Sequence, residues 1–163
     1  MLEFRLMQAG NETDISDLFS LLKQAEAYSI LVEGKSPSIE DAHENLSELP
    51  PGKTAADKCF YGIWQAGNLI ACADLIRGYP EPDIAYLGLL LFADSSQGKG
   101  HGVQALKHLF RLARGWGCVR MRLGVIATNV RGLGFWKREG FGEIYRKSVE
   151  GFTGEVIVMQ KEI

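Results

Sequence analysis

The stretch LLFADSSQGKGHG, residues 90–102, has glycine at every second position near its end, at Gly98, Gly100 and Gly102. The apolar residues that lead into it are typical of a buried β-strand. The residues that follow it, VQALKHLFRLAR at positions 103–114, have the apolar spacing of an amphipathic helix. The sequence therefore predicts a strand, a glycine-rich turn and a helix in direct succession.

A turn of this kind is suited to binding an anion. Glycine lets the backbone approach a ligand without a Cβ clash, and the first amides of a helix are unpaired donors in a field that favours negative charge. The P-loop spacing GxxxxGK[ST] is absent, and the dinucleotide-binding spacing GxGxxG fails at Val103. The spacing QxxGxG, formed by Gln97, Gly100 and Gly102, fits. The loop therefore indicates a pyrophosphate site, with a flexible connector as the alternative.

The composition bounds the class of protein. The 163 residues fit one domain, and a chain that is 46% hydrophobic and 23% charged can bury a core. The net charge of −2 argues against a general nucleic-acid binder. The cysteines, Cys59, Cys72 and Cys118, form no CxxC pair and indicate free thiols in a reducing compartment, and we expect no metal site. With no signal peptide pattern and no membrane-length apolar run, we expect a cytoplasmic protein without a membrane partner.

The rest of the chain alternates strand and helix patterns. LEFRLM predicts a strand, ISDLFSLLKQA predicts a helix with one apolar face, and SPSIEDAHENLSEL predicts a second helix with a Ser cap. CFYGIWQ and LIACADLIRG read as a hairpin, followed later by the strand CVRMRLGVI and the short helix NVRGLGFWKREG. FGEIYRKSV and GEVIVMQKEI predict two closing strands. This order, β-α-α-β-β-β-α-β-α-β-β, predicts a mixed sheet with helices on its faces.

Two stretches carry a family resemblance. LLFADSSQGKGHG resembles the acetyl-CoA loop of the GNAT superfamily of N-acetyltransferases, in which an apolar strand leads into [RQ]-x-x-G-x-[GA] and a helix. NVRGLGFWKREGF, residues 129–141, is similar to the family's second element, an Asn followed by a helix ending in F-[YW]-x-x-x-G-F. The resemblance is specific over residues 84–141 and weaker beyond them. It implies an α/β protein with a mixed, mostly antiparallel central sheet flanked by helices, the GNAT-like acyl-CoA N-acyltransferase fold, as a single domain over residues 1–163.

The resemblance implies acetyl-CoA as the co-substrate. The end of the strand before the loop would bind the pantetheine arm through its backbone, and Asn129 would contact the same arm. The backbone amides of residues 98–103 would hold the pyrophosphate, with Gln97 opening the loop. For Lys99 the resemblance allows a contact with phosphate charge, with a solvated side chain as the favoured alternative. Trp136 would line the channel. The expected cofactor-binding residues are Leu90, Leu91, Phe92, Gln97, Gly98, Lys99, Gly100, His101, Gly102, Val103, Asn129 and Trp136.

The groups that would carry the chemistry are less well marked. Acetyl transfer to an amine needs a deprotonated nitrogen, a polarised thioester carbonyl and a proton for the leaving thiolate. Trp136 stands where the family often has a Tyr acid, and an indole N–H is no acid at neutral pH. The family also often has a carboxylate on the strand before the loop, where this chain is apolar. The remaining catalytic candidates are Asp83, Tyr86 and His101; for His101 a half-exposed residue at the start of the helix is the alternative.

The predicted function is transfer of an acetyl group from acetyl-CoA to a primary amine of a small molecule or a protein. Because the Tyr acid is missing, an acetyl-CoA sensor without turnover is an alternative, and transfer of a different acyl group is another. The acceptor would be held by AEAYSILVEGKSPS and VEGFTGE, which carry Tyr28, Glu33 and Glu150. We expect no nucleic-acid partner, and the sequence leaves monomer and homodimer open.

Overall fold

A seven-stranded sheet forms the centre of the molecule, and the computed structural model describes all of residues 1–163. Its strands are β1 (Glu3–Leu6), β2 (Lys58–Gln65), β3 (Asn68–Arg77), β4 (Ile84–Phe92), β5 (Arg120–Ile126), β6 (Gly142–Lys147) and β7 (Val156–Glu162). They lie in the order β1-β2-β3-β4-β5-β7-β6. Every neighbouring pair is antiparallel except β4 and β5, which are parallel. The mixed, mostly antiparallel sheet expected from the sequence is confirmed.

Five α-helices cover the two faces of this sheet. They are α1 (Glu12–Gln24), α2 (Glu26–Glu33), α3 (Ile39–Ser47), α4 (His101–Gly115) and α5 (Val130–Arg138). Apolar residues of α1 and α3 form one core with side chains from β2, β3 and β4. The apolar stripe of α4 forms the second and larger core on the opposite face. None of the five helices is both long and apolar enough to cross a membrane.

The main difference from the predicted element order is α2, which the sequence patterns did not reveal. It follows α1 after a single residue, Ala25, whose side chain makes no capping hydrogen bond. Helix starts are recognised from a side-chain cap, and an alanine cannot provide one. By contrast, α3 begins as predicted, because Ser38 and Asp41 form a reciprocal capping box.

The two parallel strands separate half way along their length. β4 and β5 are paired only where Ile84–Leu87 face Arg120–Leu123. Beyond these rows β4 stays paired with β3, and β5 stays paired with β7. A bulge in β4 leaves Gly88 without a partner, because Leu87 and Leu89 face consecutive residues of β3. The wedge between the two strands opens into a cleft.

Candidate functional site

The cleft has a volume of ≈ 610 Å³. Its walls are the separated ends of β4 and β5, the loop that leads into α4, the inner side of α5 and one side of α2. The predicted cofactor-binding residues among its lining are Leu90, Leu91, Phe92, Gln97, Gly98, Gly100, His101, Gly102, Val103, Asn129 and Trp136. Lys99 is the one member of the predicted set that does not line the cleft.

At one end of the cleft, residues 97–103 and the first turn of α5 form what we call the anion half. Six consecutive backbone amides there, from Gly98 to Val103, donate no hydrogen bond within the chain. Two of the residues, Gly98 with φ +73° and Gly100 with φ +80°, have left-handed backbones that favour glycine. A run of free amides at the start of a 15-residue helix is a ready site for a phosphate group.

Two residues of the loop motif support this half by internal contacts. The side-chain amide of Gln97 donates to the carbonyl oxygen of Phe92 at 3.1 Å, which ties the loop to the end of β4. A Cβ at Gly102 would lie 3.2 Å from the ring of Phe135. Gly102 therefore allows α4 and α5 to pack closely, whereas Gly100 sets the direction of the backbone.

Basic side chains approach the anion half from α5. The guanidinium of Arg131 lies 3.8 Å from the position that a Cβ would take at Gly98, and both Arg131 and Arg138 line the cleft. These arginines were not predicted from the sequence, because single basic residues on a short helix form no recognisable pattern. Their charge complements a phosphate ligand.

Aromatic rings pack against one another beside the loop, along one wall of the cleft. The rings of His101 and Phe92 lie nearly parallel, at 16° with centroids 6.4 Å apart, and Nδ1 of His101 is buried without a hydrogen-bond partner. Trp136 makes edge contacts with Phe135 at 4.9 Å and with Phe141 at 5.3 Å between ring centroids. The indole of Trp136 is thus fixed by packing at the cleft wall.

Asn129 begins α5 as its N-cap. Its Oδ1 accepts a hydrogen bond from the backbone amide of Gly132 at 2.9 Å. The Nδ2 group is left for a ligand, since it makes no hydrogen bond within the chain.

Two of the three predicted catalytic side chains lie outside the cleft lining. Asp83 precedes β4 at the end away from the loop, and its Oδ2 accepts a hydrogen bond from Arg120 at 2.7 Å. Tyr86 faces Arg122 in the rows where β4 and β5 are still paired, and its hydroxyl oxygen lies 3.6 Å from the position that a Cβ would take at Gly124, beside the cleft lining. Burial raises the pKa of the Tyr86 phenol, so this group is neutral at physiological pH. His101 alone of the three lines the cleft.

At the other end of the cleft, where the strands part, lies what we call the acyl half: Gly88, Gly124 and the side chains around them. Both glycines are exposed although they lie inside central strands. A Cβ at Gly88 would be 3.1 Å from Oδ2 of Asp74, and a Cβ at Gly124 would be 2.9 Å from Cγ1 of Val156. The absence of side chains at these two positions keeps the floor of the wedge open.

The two stretches expected to hold the acceptor contact each other, and one of them, α2, borders the cleft. The backbone amide of Thr153, in the β6–β7 connection, donates to the carbonyl oxygen of Val32 in α2 at 2.8 Å. Tyr28 of α2 lines the cleft, and burial raises its pKa to about 12, which keeps its hydroxyl protonated. The pKa of Glu33 is also raised, first by burial and then by the neighbouring carboxylate of Asp41.

The sequence of the chain matches the model of the acetyltransferase (GNAT) family over residues 21–141. It is 29% identical over 118 residues to the uncharacterized N-acetyltransferase YobR of Bacillus subtilis (strain 168). That alignment covers 71% of this chain and 44% of YobR, so the chain spans less than half the length of this relative.

Solved structures share the fold. An acetyltransferase from Thermus thermophilus superposes with a TM-score of 0.81 at 23% identity, covering 100% of this chain and 97% of that one. The aminoglycoside acetyltransferase AAC(6')-Ib in complex with coenzyme A superposes with a TM-score of 0.74 at 18% identity, covering 99% and 95%. At these identities the similarity is one of fold.

Proposed function

This chain belongs to the acetyltransferase (GNAT) family, and we propose that it transfers the acetyl group of acetyl-CoA to a primary amine of a small molecule or a protein. The observation that carries the proposal is the run of six free amides at residues 98–103, placed at the mouth of a wedge between two parallel strands. Such a run fits a pyrophosphate, and the wedge offers a channel for an extended arm.

The residues of the cleft fit acetyl-CoA in one direction. The pyrophosphate would lie against the amides of the anion half, with Arg131 beside it. The pantetheine arm would run along the unpaired edge of β4 at residues 90–92, where backbone groups are free to hydrogen-bond with its amides. The Nδ2 group of Asn129 and the ring of Trp136 would hold the arm from the α5 side. The thioester would then reach the acyl half.

Transfer requires the amine to attack the thioester carbonyl while the C–S bond breaks. A backbone N–H of the unpaired β4 edge near Leu90 would polarise the carbonyl oxygen. The leaving thiol has an ordinary pKa of about 8.5, so its thiolate is a tolerable leaving group near neutral pH without a strong acid. Trp136 would therefore act by packing on the arm and excluding water, not by donating a proton.

Charge supports a cationic acceptor. Glu33 lies on α2, where burial and the carboxylates of Asp41, Glu44 and Glu48 raise its pKa and the single positive charge of Lys35 opposes them. A corner with this much negative charge favours an ammonium group over a neutral or anionic acceptor. We propose accordingly that the acceptor amine arrives protonated and is held from the α2 side.

We also propose that residues 1–163 work as one domain, since all seven strands join a single sheet.

The three cysteines are unpaired, which supports a reducing compartment such as the cytoplasm. Monomer and homodimer are both compatible with the proposed reaction, because the cleft is formed by one chain.

Two measurements test the proposed function. Coenzyme A at ~100 times its dissociation constant should stabilise the protein by about 2.7 kcal/mol, observed as a rise in melting temperature. Thiol release from acetyl-CoA should then depend on an added amine, tested with an aminoglycoside, a short peptide with a free N-terminus and simple alkylamines. Binding without thiol release for every amine would favour the sensor, which the absence of Tyr at position 136 motivates. A comparison of acyl-CoA chain lengths tests transfer of another acyl group.

A further inference from the structure

A carboxylate that no sequence motif marks lies directly beneath the acyl half. Asp74 is in the middle of β3, opposite Phe60 on β2 and Leu89 on β4. Its Oδ2 accepts a hydrogen bond from Nζ of Lys58 at 2.9 Å. Its Oδ1 is buried and has no hydrogen-bond partner.

The environment of Asp74 is unusual for a purely structural ion pair. Only 16% of its side chain and 6% of that of Lys58 are exposed. A buried ion pair is often no more stabilising than apolar residues of the same size, and an unpartnered buried oxygen adds a further penalty. A fold that needed only packing at this position would be better served by two apolar side chains.

Gly88 separates this carboxylate from the cleft: Gly88 lines the cleft, whereas Asp74 lies behind it and does not line the cleft itself. Gly88 is exposed, and a Cβ at this position would stand 3.1 Å from Oδ2 of Asp74. A side chain there would cover the carboxylate from the cleft side. The exposed fraction that Asp74 keeps lies on atoms other than Oδ1, since Oδ1 is occluded.

We propose that Asp74 binds the ammonium group of the acceptor and accepts its proton. The proposal rests on the acetyl transfer proposed above. R–NH3+ gives one proton to the carboxylate of Asp74, and the lone pair of the resulting amine forms the new N–C bond at the thioester carbonyl. The C–S bond breaks, the thiolate takes the second proton that the nitrogen sheds, and Asp74 later returns its proton to water. The products are the acetylamide, the free thiol of coenzyme A and one proton.

Lys58 is a positioning residue in this scheme. Its Nζ donates to Oδ2 of Asp74 and also to the backbone carbonyl oxygen of Glu48, at the end of α3, at 2.9 Å. The first hydrogen bond holds Oδ2 of Asp74, and the second holds Nζ of Lys58 against the end of α3. Lys58 also keeps Asp74 ionised before the acceptor arrives, because a nearby positive charge favours the charged carboxylate.

The charged and titratable groups around Asp74 come from β2, β3, α2 and the end of α3. Burial raises the pKa of Asp74 above its usual range, Lys58 of β2 lowers it, and Glu48 after α3 raises it again. Burial raises the pKa of Cys59 in β2 and of Cys72 in β3, the negative charge of Asp74 raises both further, and Tyr28 of α2 lies near Cys72. A carboxylate with a raised pKa is a stronger base than an ordinary one, which suits proton transfer near neutral pH.

The first test needs no knowledge of the natural acceptor. n-Propylammonium chloride is titrated into the complex of the protein with coenzyme A, and the carboxyl carbon of Asp74 is followed by 13C NMR, with its signal assigned by its loss in Asp74→Asn. We expect the signal to shift and its apparent pKa to fall as the ammonium binds. A titration in which the Asp74 signal never changes overturns the proposal.

The second test measures thiol release with n-propylamine. In Asp74→Asn we expect kcat/KM to fall about 100-fold or more, with the affinity for acetyl-CoA unchanged. In the wild-type protein kcat/KM should rise with pH through the pKa of Asp74, and Asp74→Asn should lose this rise. Lys58→Met should move the rise to higher pH, because the positive charge that lowers the pKa of Asp74 is removed. Because Asp74→Asn leaves Lys58 unpaired, the double variant Lys58→Met/Asp74→Asn provides a stable protein without the base.

The matched control is Asp57→Asn. The Asp57 side chain has the same 16% exposure and forms ion pairs with Lys53 and Arg77. Neither carboxylate lines the cleft, but Asp74 lies against the cleft-lining Gly88, whereas Asp57 is held by its two basic partners. A kcat/KM for Asp74→Asn within about threefold of that control, or a loss with an unchanged pH profile, overturns the proposal. If wild-type protein shows the NMR shift but releases no thiol with any amine, the ammonium site stands and acetyl transfer fails.

Discussion

The two halves of the cleft are built on opposite principles. The anion half uses backbone: six amides consecutive in sequence stay free of internal partners where Gly98 and Gly100 turn the chain and α4 begins. The acyl half uses side chains and their absence: Gly88, Gly124 and the groups beside them come from separate strands and from α2. A site made of contiguous backbone leaves a motif in the sequence, whereas a site assembled across a sheet does not.

The largest expected effect concerns the backbone of the anion half. Gly100→Val should weaken acetyl-CoA binding about 100-fold, equal to about 2.7 kcal/mol, because a β-branched residue resists φ +80° and its side chain intrudes between the amides and the anion. Isothermal calorimetry with acetyl-CoA measures the change.

Gly52→Val is the matched control for this variant. Gly52 has φ +81° and, like Gly100, has no heavy atom within 4 Å of a Cβ, but it does not line the cleft. Both substitutions should lower the melting temperature through the same backbone strain. Equal affinities in the two variants would mean that the loop does not bind the cofactor.

The second effect concerns the acyl half. Gly88→Ala should lower kcat/KM for n-propylamine about thirtyfold with acetyl-CoA affinity unchanged, because its Cβ would displace the Asp74 carboxylate from its position. Gly62→Ala in β2 is the control, since a Cβ there would meet three side chains at 3.1 Å outside the cleft. A Gly88→Ala variant that loses cofactor affinity instead of turnover would contradict the assignment of cofactor binding to the anion half and of turnover to the acyl half.

The sequence predicted those parts of the molecule whose signals are local. A serine cap predicted the start of α3, where the structure shows the pair Ser38 and Asp41, and the glycine loop predicted the start of α4. Helix α2 was missed because Ala25 offers no cap. These outcomes follow from the range of the interactions, since caps and turns are formed by residues within a few positions of each other.

The catalytic candidates show the limit of local signals. Asp83 was selected because it is the nearest carboxylate in sequence to the apolar strand, but β4 carries it to the end of the sheet away from the loop, beside Arg120. Asp74 is farther from β4 in the sequence than Asp83 is, yet the pairing of β3 with β4 brings it next to Gly88. Which residue of one strand faces a bulge in another depends on register, and register is fixed only when the sheet forms.

The third effect separates packing from acid catalysis at Trp136. Trp136→Phe should lower acetyl-CoA affinity about fivefold through the lost apolar contact, with little further change in turnover. Trp136→Tyr is the sharper variant, because it places a phenol at the cleft wall and should preserve or raise turnover at high pH. The packing account fails if Trp136→Phe removes turnover by orders of magnitude while affinity and melting temperature keep their wild-type values.

The smallest effect concerns His101, the one predicted catalytic residue that lines the cleft. Its Nδ1 is buried without a partner beside the free amides, so a bound phosphate group would supply the missing hydrogen bond. We therefore expect His101→Ala to lower coenzyme A affinity about threefold, the value of one modest hydrogen bond, and to leave the shape of the pH profile unchanged.

His108→Ala on the same helix is the control for this variant. His108 stacks on Phe4 at 3.8 Å between ring centroids and does not line the cleft, so its removal should affect stability and not cofactor affinity. If His101→Ala abolishes an inflection of the pH profile that Asp74→Asn retains, the proton acceptor belongs to the anion half, and the side-chain chemistry assigned to the acyl half is wrong.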